Sequence, residues 1–416
     1  MAEYENRSRF IPYRKSDIID MCVDDSRLGH SDKKSFREFC RILESLFHFE
    51  FHRQLEELKD SYAPFNPDPD TRAFHTYSEK EKQKDQKDLV KLMTDILNAG
   101  NFEKITKKDL EEALNEESIF KIRLQVDFDD FEDVIFYWRG MTKKQETLVK
   151  LFGLKKEHIE FTNYDRVVVY LKFKDENYFK ARKMKDIYFT PGSTVIKLFQ
   201  NVPKADLEML FPNSEVRMKA IDKLIIGVPA VVSGIALVVS KLGASLLLIA
   251  SVILFWFGLK DEEVQIKQQH LVALALGIGT LGGFIFKQVN KFKTRKIHFM
   301  KALADNLYFK NLDNNVGVFH HLIDAAEEEE VKEAVLAYYF LLTEKKDLTK
   351  EQLDETVEKW FEDKHEVKID FEIEDALHKL ERLNLVSPVG DILSCKSLSD
   401  AKKELDKRWD NYFTYN

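Results

Sequence analysis

Two histidines one helical turn apart are the first side chains in this sequence that could do chemistry. His48 and His52 lie in the stretch LFHFEFHRQLEEL, with Glu44 one turn earlier. Side chains four residues apart share one face of a helix, and imidazole nitrogens held in this way are suited to bind a transition metal. The pair therefore allows a metal-dependent enzyme, while the phenylalanines around it also fit a helix whose histidines contact a sheet or solvent.

Two acidic clusters are weaker candidates for a site. Asn66, Asp68 and Asp70 repeat the alternating oxygen ligands of a calcium loop, but Thr71 stands where such a loop needs glycine. The acidic residues between 127 and 133 fit a solvated turn better than a general acid–base pair. Phosphate-binding, dinucleotide-binding and nucleophile-elbow motifs are absent from the sequence. We therefore expect no cofactor and assign no catalytic residue.

Composition limits the classes of protein to which this chain can belong. It has 416 residues, of which 33% are charged, and a net charge of −8. Most of it must therefore face water, in two or three folded units. The three cysteines, Cys22, Cys40 and Cys395, lie far apart without a C-x-x-C pair. This spacing argues against a disulfide framework and a zinc site, and it predicts reduced thiols.

Residues 1–222 begin with a pattern that predicts helices. A long amphipathic helix follows Asp32, and the prolines of the stretch APFNPDPDTR end it because proline cannot continue a helix. The residues predicted to face inward from this helix are Phe36, Phe39, Leu43, Leu46, Phe47, Phe51, Leu55, Leu58 and Tyr62.

After residue 120 the apolar pattern changes to a period of two, which predicts strands. Two of these strands form a predicted hairpin around an acidic DDFED turn. The predicted strands cover residues 122–128, 134–138, 158–162, 165–173 and 193–200. Residues 1–222 are therefore expected to form an α+β domain built on an antiparallel sheet.

Residues 223–288 contain three apolar segments that predict membrane helices, at 224–239, 242–259 and 271–286. One crossing needs about 20 apolar residues. The flanking lysines and arginines are distributed most unequally when an even number of segments crosses the membrane. We therefore expect one segment to be re-entrant or interfacial, with three short crossings as the alternative. Both flanking parts then face the cytoplasm of a bacterium, or the matrix side of a mitochondrial inner membrane.

Basic residues beside these segments are predicted to contact anionic lipid head groups, at about 1 kcal/mol each. They are Arg217, Lys219, Lys223, Lys287, Lys291, Lys293, Arg295 and Lys296. Small residues four apart within the segments predict close helix packing; these are Ala230, Gly234, Gly279 and Gly283. Such packing allows a homo-oligomer, and an oligomeric pore is one alternative function.

Residues 289–416 predict a stalk helix followed by an acidic winged-helix-like domain. The run EEEEVKEAVLAYYFLL, residues 327–342, predicts a helix whose four glutamates stand at the positive end of its dipole. Thr349 and Gln352 form a capping box for the next helix, and a short strand (HEVKI), a helix and a hairpin follow. Residues 321–416 carry 14 basic and 25 acidic side chains. This charge argues against nucleic acid as a partner, because a nucleic-acid binder needs cations that displace phosphate counterions.

Four segments carry a resemblance to a known family. They are RFIPYRKSDII (9–19), EFHRQLEELKDSYAPFNPDPDTR (50–72), NVPKADLEMLFPNSEVRM (201–218) and EEVKEAVLAYYFLL (329–342). The chain resembles a family of unknown function that contains the animal mitochondrial transmembrane protein 143 with plant and bacterial relatives. The resemblance implies a membrane protein with a large N-terminal soluble region, and it implies no activity. One departure is that two apolar segments are expected in that family, whereas this chain has three.

The sequence therefore predicts an α+β membrane protein with membrane helices and a winged-helix-like C-terminal domain. Its expected function is that of a non-enzymatic, membrane-anchored interaction or scaffold protein, with the lipid membrane and an unidentified protein as partners. The alternatives are a membrane-bound metal-dependent enzyme that uses His48 and His52, and an oligomeric pore.

Overall fold

The computed structural model of the chain describes most of its residues and divides them into two compact units. The described residues are 8–106, 108–110, 113, 123–150, 155–184, 187–217, 232, 235, 236, 240, 243, 247, 250–259, 267–344 and 346–413. Unit 1 draws on residues 1–113, 128–204 and 310–416, and unit 2 on residues 114–127 and 205–309. Unit 1 therefore combines the N-terminal and C-terminal ranges that the sequence predicted as separate domains.

Unit 1 begins with three helices, α1 (Lys15–Asp24), α2 (His30–Tyr62) and α3 (Glu79–Ala99). All nine residues predicted to face inward from α2 are buried, so this predicted helix is confirmed. A short 3-10 turn, Ala63–Phe65, follows α2 in the proline-containing stretch. Ser78 and Glu81 form a capping box that satisfies free backbone N–H groups at the start of α3.

Five strands of unit 1 form one antiparallel sheet, and β2 and β6 pair within unit 2. In chain order the elements are β1 (Glu103–Lys104), β2 (Arg123–Gln125), β3 (Phe131–Lys150), β4 (Lys155–Phe173), α4 (Glu176–Ala181), β5 (Thr194–Pro203) and β6 (Glu215–Arg217). The large sheet is completed by β7 (Asn311–Asn314) and has the order β1-β3-β4-β5-β7.

The predicted hairpin around the DDFED turn is wrong, because β3 pairs with β4 along its whole length and β2 pairs with β6. The period-two pattern that identified the strands is local in sequence, whereas pairing depends on contacts between distant segments. The strands predicted at 158–162 and 165–173 are parts of one long strand, β4.

Helix α6 (Val316–Thr343) runs through the core of unit 1. It contacts α1, α2 and α3 and also two C-terminal helices, α7 (Lys350–His365) and α8 (Ile373–Arg382). Nearly all of its residues from Val318 to Phe340 are buried. The glutamates at 327–330 therefore lie in the middle of α6 and not in its first turn. The predicted start of this helix is wrong, because the apolar pattern of VFHHLIDAA already belongs to it.

The C-terminal part continues after α8 with a hairpin of β8 (Val386–Val389) and β9 (Ile392–Cys395), followed by α9 (Leu398–Asp410). The predicted capping box of Thr349 and Gln352 at the start of α7 is confirmed. The predicted strand HEVKI is not formed, since of these residues only Ile369 bridges another segment, at Ser8.

Helix α5 (Gln268–Lys310) contains the third predicted membrane segment, 271–286. This apolar run has 16 residues and is about 24 Å long as a helix, whereas the hydrocarbon core of a membrane is about 30 Å thick. Among the residues that the structure describes, no helix is both long and apolar enough to cross a membrane. This finding overturns the predicted membrane fold and the predicted inner-membrane location. Segment 224–239 lies mostly outside the described residues, and of segment 242–259 the structure describes residues 243, 247 and 250–259.

Candidate functional site

A pocket of about 460 Å³ in unit 1 is the candidate functional site. Its walls come from the sheet, from α6 and from the N-terminal segment 10–14. The charged and titratable side chains that line it are Arg14, Arg139, Arg166, His321, Asp324, Glu328, Glu329 and Lys332. We call it the arginine pocket, because two arginines form its sheet wall.

The two arginines continue an apolar stripe of the sheet. Side chains two residues apart on a strand share a face, and Ile135 and Tyr137 precede Arg139 on the core-facing side of β3. Arg139 lies directly opposite Arg166 in the register of β3 and β4. Val168 continues the same stripe on β4 and is buried in the core. The stripe thus ends in two guanidinium groups at the point where the pocket opens.

Arg139 is held firmly by its surroundings. Its guanidinium carbon lies 4.5 Å from the ring centroid of Phe10 and 4.7 Å from that of Phe102. One N–H group donates to the carbonyl oxygen of Gly100 at 3.3 Å. Burial lowers the pKa of Arg139; Glu329 opposes this shift, Arg166 adds to it, and Asp324 and Glu328 also oppose it. Arginine nevertheless stays protonated in proteins, so the sheet wall carries two adjacent positive charges.

Gly140 allows the backbone conformation that places Arg139. Its φ angle is +71°, a region that side chains with a Cβ rarely adopt. A Cβ at this position would also lie 2.6 Å from Oδ2 of Asp165. Glycine is therefore required by both the torsion angle and the available space.

The helix wall of the pocket contains a buried ion pair. Lys332 Nζ lies 2.6 Å from Oε1 of Glu329, and both side chains are almost fully buried. The same ammonium donates to the carbonyl oxygens of Ile11 and Tyr13 at 2.8 and 3.1 Å. Burial raises the pKa of Glu329, and Lys332 opposes that effect. Glu329 and Lys332 therefore bind each other and hold the N-terminal segment against α6.

Two further carboxylates of α6 line the pocket. Asp324 is exposed, and Glu328 accepts a hydrogen bond of 3.0 Å from the backbone N–H of Lys15. A neutral N–H group does not cancel the charge of Glu328. Arg14 is paired with Asp17 through two hydrogen bonds of 2.8 and 2.7 Å. Its charge is therefore largely satisfied.

Four charges of the pocket remain without an ionic partner. Within the part of the chain that the structure describes, the ion pairs of 4.0 Å or less include neither Arg139 nor Arg166, nor Asp324 or Glu328. The pocket thus has two cations on its sheet side and two anions on its helix side, and Asp324 and Glu328 are near enough to act electrostatically on Arg139.

The histidines identified from the sequence lie outside the arginine pocket. Nδ1 of His48 is 2.8 Å from Oε2 of Glu327, and His52 is exposed beside it. Both line a separate depression with Glu44 and Trp409. Among the described residues, no group of three His, Cys, Asp or Glu side chains is placed to hold a metal. The metal site at His48 and His52 therefore stays a prediction.

The residues predicted to contact lipid do not form one site in the described structure. Arg217 belongs to β6, where it pairs with Arg123. Lys287, Lys291 and Lys293 are exposed on α5. The other basic residues are Arg295 and Lys296, which also belong to α5, and Lys219 and Lys223, which lie outside the described residues. Lipid contact stays a prediction.

The predicted packing residues also remain without a described partner helix. A Cβ placed on Gly279 or Gly283 of α5 would meet no described atom within 4 Å. Ala230 and Gly234 lie outside the described residues. Their role in helix packing is therefore still a prediction.

Sequence reasoning missed Arg139 and Arg166. A signal was present, because each arginine borders a continuous apolar run, VIFYW before Arg139 on β3 and VVVYL after Arg166 on β4. A charged residue on the core face of a strand is costly unless it is paired or binds something. Such a position is therefore a candidate for function.

Comparison with known proteins adds one match. Residues 164–317 match the model of DUF3754, a family described as protein of unknown function. The match spans less than half of the chain and brings no activity with it. No solved structure matches the chain.

Proposed function

We propose that this protein is a non-enzymatic interaction protein that holds a small charged ligand in the arginine pocket. The proposal keeps the non-enzymatic role predicted from the sequence, but its partner is a small ligand in place of the predicted protein and lipid partners, and it includes no membrane anchor. The observation that carries it is the placement of Arg139 directly opposite Arg166, with both side chains lining the pocket.

Two like charges on neighbouring strands destabilise a sheet. An anion bound between them removes that repulsion, and guanidinium groups present planar forks of N–H donors that match carboxylate and phosphate oxygens. Arg139 has one hydrogen bond to protein, at Gly100, among its five N–H donors. The clamp of Phe10 and Phe102 holds the guanidinium in place before a ligand arrives, which lowers the entropy cost of binding.

Isothermal titration calorimetry with inorganic phosphate as the probe tests this proposal. The wild-type protein is compared with Arg166→Gln, which removes one charge from the sheet wall. The matched control is Arg41→Gln, because Arg41 is exposed on α2 and does not line the pocket. A hydrogen bond to a charged group contributes about 1.5–3 kcal/mol, so we expect Arg166→Gln to bind phosphate at least about tenfold more weakly.

The control variant is expected to bind phosphate like the wild type. Equal affinities of wild type and Arg166→Gln for phosphate would contradict the proposal. Circular dichroism and the thermal unfolding midpoint of each variant establish that it is folded before the titration is interpreted.

A further inference from the structure

The charges of the arginine pocket specify more than an anion. Arg139 and Arg166 stand on the sheet wall, while Asp324 and Glu328 stand on the wall made by α6. The buried pair of Glu329 and Lys332 is already neutralised, as is Arg14 by Asp17, and His321 lies 3.3 Å from its own carboxylate partner, Asp313. Two positive charges on the sheet side and two negative charges on the α6 side of a single cavity therefore remain.

A simple anion would satisfy only one of these walls. Its negative charge would be attracted by the arginines and repelled by Asp324 and Glu328 across the pocket. A simple cation would be attracted by Asp324 and Glu328 and repelled by the two arginines. A ligand with a negative group at one end and a positive group at the other has the charge distribution that matches both walls.

We infer that the arginine pocket binds a zwitterion of the amino-acid type, a small molecule with a carboxylate at one end and an ammonium group at the other. Its carboxylate contacts Arg139 and Arg166, and its ammonium group contacts Asp324 and Glu328. This inference rests on the proposed function, since it names the ligand class of the same site.

The volume of the pocket agrees with this class of ligand. A cavity of about 460 Å³ lies in the range of about 300–1,000 Å³ that small-molecule sites occupy. Phe10 and Tyr13 line it beside the charged groups, and these rings supply apolar surface for the carbon chain between the two ends of the ligand. Asp324 is exposed, so the ammonium end is expected near the mouth of the pocket.

A matched series of small molecules tests the inference. The zwitterions are glycine, β-alanine, 4-aminobutyrate and 6-aminohexanoate, and each is paired with the carboxylate of the same length that lacks the amine. Binding is measured by calorimetry and by competition with inorganic phosphate. We expect at least one zwitterion to bind about tenfold more tightly than its paired carboxylate, since removal of a matched ionic contact costs about this much.

Two variants assign the two ends of the ligand. Asp324→Asn is expected to reduce the preference for the zwitterion over its paired carboxylate, because only Glu328 remains to contact the ammonium group, while phosphate binding is retained or strengthened. Arg166→Gln is expected to lower the affinity for the zwitterion, for the carboxylate and for phosphate alike. Arg41→Gln is the control for both and should change neither the affinities nor their ratio.

The outcomes separate this inference from the proposed function. If phosphate binds through Arg166 but no zwitterion is preferred, the site is an anion site and the inference is overturned while the proposed function stands. An Asp324→Asn variant that keeps the full preference also overturns the inference. If neither phosphate nor any zwitterion binds, both proposals fail.

Discussion

Nζ of Lys379 on α8 lies 2.6 Å from Oε2 of Glu333 on α6, and both side chains are almost completely removed from water. The same ammonium lies 3.1 Å from Glu330 and 2.8 Å from Asp375. The other oxygen of Glu333 accepts a hydrogen bond of 2.7 Å from the amide of Asn101. One lysine thus holds together the carboxylates at the contact of two helices.

Replacing Lys379 by methionine should strongly destabilise the protein. Methionine fills a similar volume, but it leaves Glu330 and Glu333 buried without their cation, and such a loss costs about 3–5 kcal/mol. The free energy of unfolding is measured in urea at pH 9, above the pKa of about 8 of Glu333, so that its carboxyl group is ionised in the wild-type protein. The control is Lys350→Met, because Lys350 forms an exposed pair with Glu374, and exposed pairs are worth about 0–1 kcal/mol.

If both variants lose the same free energy, the buried cluster has no special role in stability. The double variant Lys379→Met, Glu333→Gln provides a second check. It should recover part of the loss, since the amide of glutamine carries no charge to be left unpaired.

The stability of the protein should depend on pH through Glu333. Burial raises the pKa of this carboxyl group to about 8, against an ordinary value of 4.5, and Lys379 opposes the shift. Between these values the folded protein holds a proton that the unfolded chain releases. The stabilisation is therefore fully present below pH 4.5 and is lost as the pH rises toward 8, by up to about 1.4 kcal/mol per pH unit.

Urea unfolding at pH 5, 6, 7 and 8 measures this dependence. The decrease with pH should be smaller in Glu333→Gln than in the wild type, because glutamine does not titrate. Glu355→Gln, at an exposed position of α7, should retain the wild-type slope. A Glu333→Gln variant with the wild-type slope would show that another group is responsible.

Substitution of Gly140 by alanine should affect both stability and the arginine pocket. Alanine at a left-handed φ angle costs about 1–2 kcal/mol, and here its Cβ would also lie within 2.6 Å of Asp165. Gly192→Ala is the matched control, since Gly192 has φ +76° and no atom within 4 Å of an added Cβ. We expect Gly140→Ala to lose more unfolding free energy than Gly192→Ala, and to bind phosphate more weakly because Arg139 is its neighbour.

The three cysteines should differ in reactivity. Cys22 and Cys40 are buried and Cys395 is partly exposed. Burial raises the pKa of all three thiols, and the thiolate is the form that reacts with alkylating agents. Mass spectrometry after brief treatment with iodoacetamide should find label on Cys395 first, and on Cys22 and Cys40 only after unfolding. Early labelling of Cys22 would contradict the burial seen here.

Local patterns were sufficient to predict some elements of this fold. The apolar residues from Phe36 to Tyr62 identified α2 and its buried face, because the helical spacing of apolar residues can be recognised within a short stretch of sequence. The capping box at Thr349 was equally readable, since its two partners are three residues apart.

The arginine pocket was not predictable in the same way. Arg139 and Arg166 become neighbours only when β3 pairs with β4, and strand pairing joins segments whose relation no local period reveals. The glutamates of α6 show the same limit. The sequence predicted them at the start of a helix, yet they lie in its middle, and Glu329 is buried because Lys332 and the N-terminal segment cover it.

The position of unit 2 within the sequence has a consequence for biosynthesis. The buried stripe of α2 is complete at Tyr62, but its partner α6 begins at Val316. At about 5–20 residues per second, the ribosome needs roughly 10–50 s to make the intervening chain. During that time the nascent helix exposes its phenylalanines to other chains and to chaperones. Folding of unit 1 is therefore completed late in translation. Its yield in the cell should depend on how well chaperones protect α2 until α6 has been synthesised.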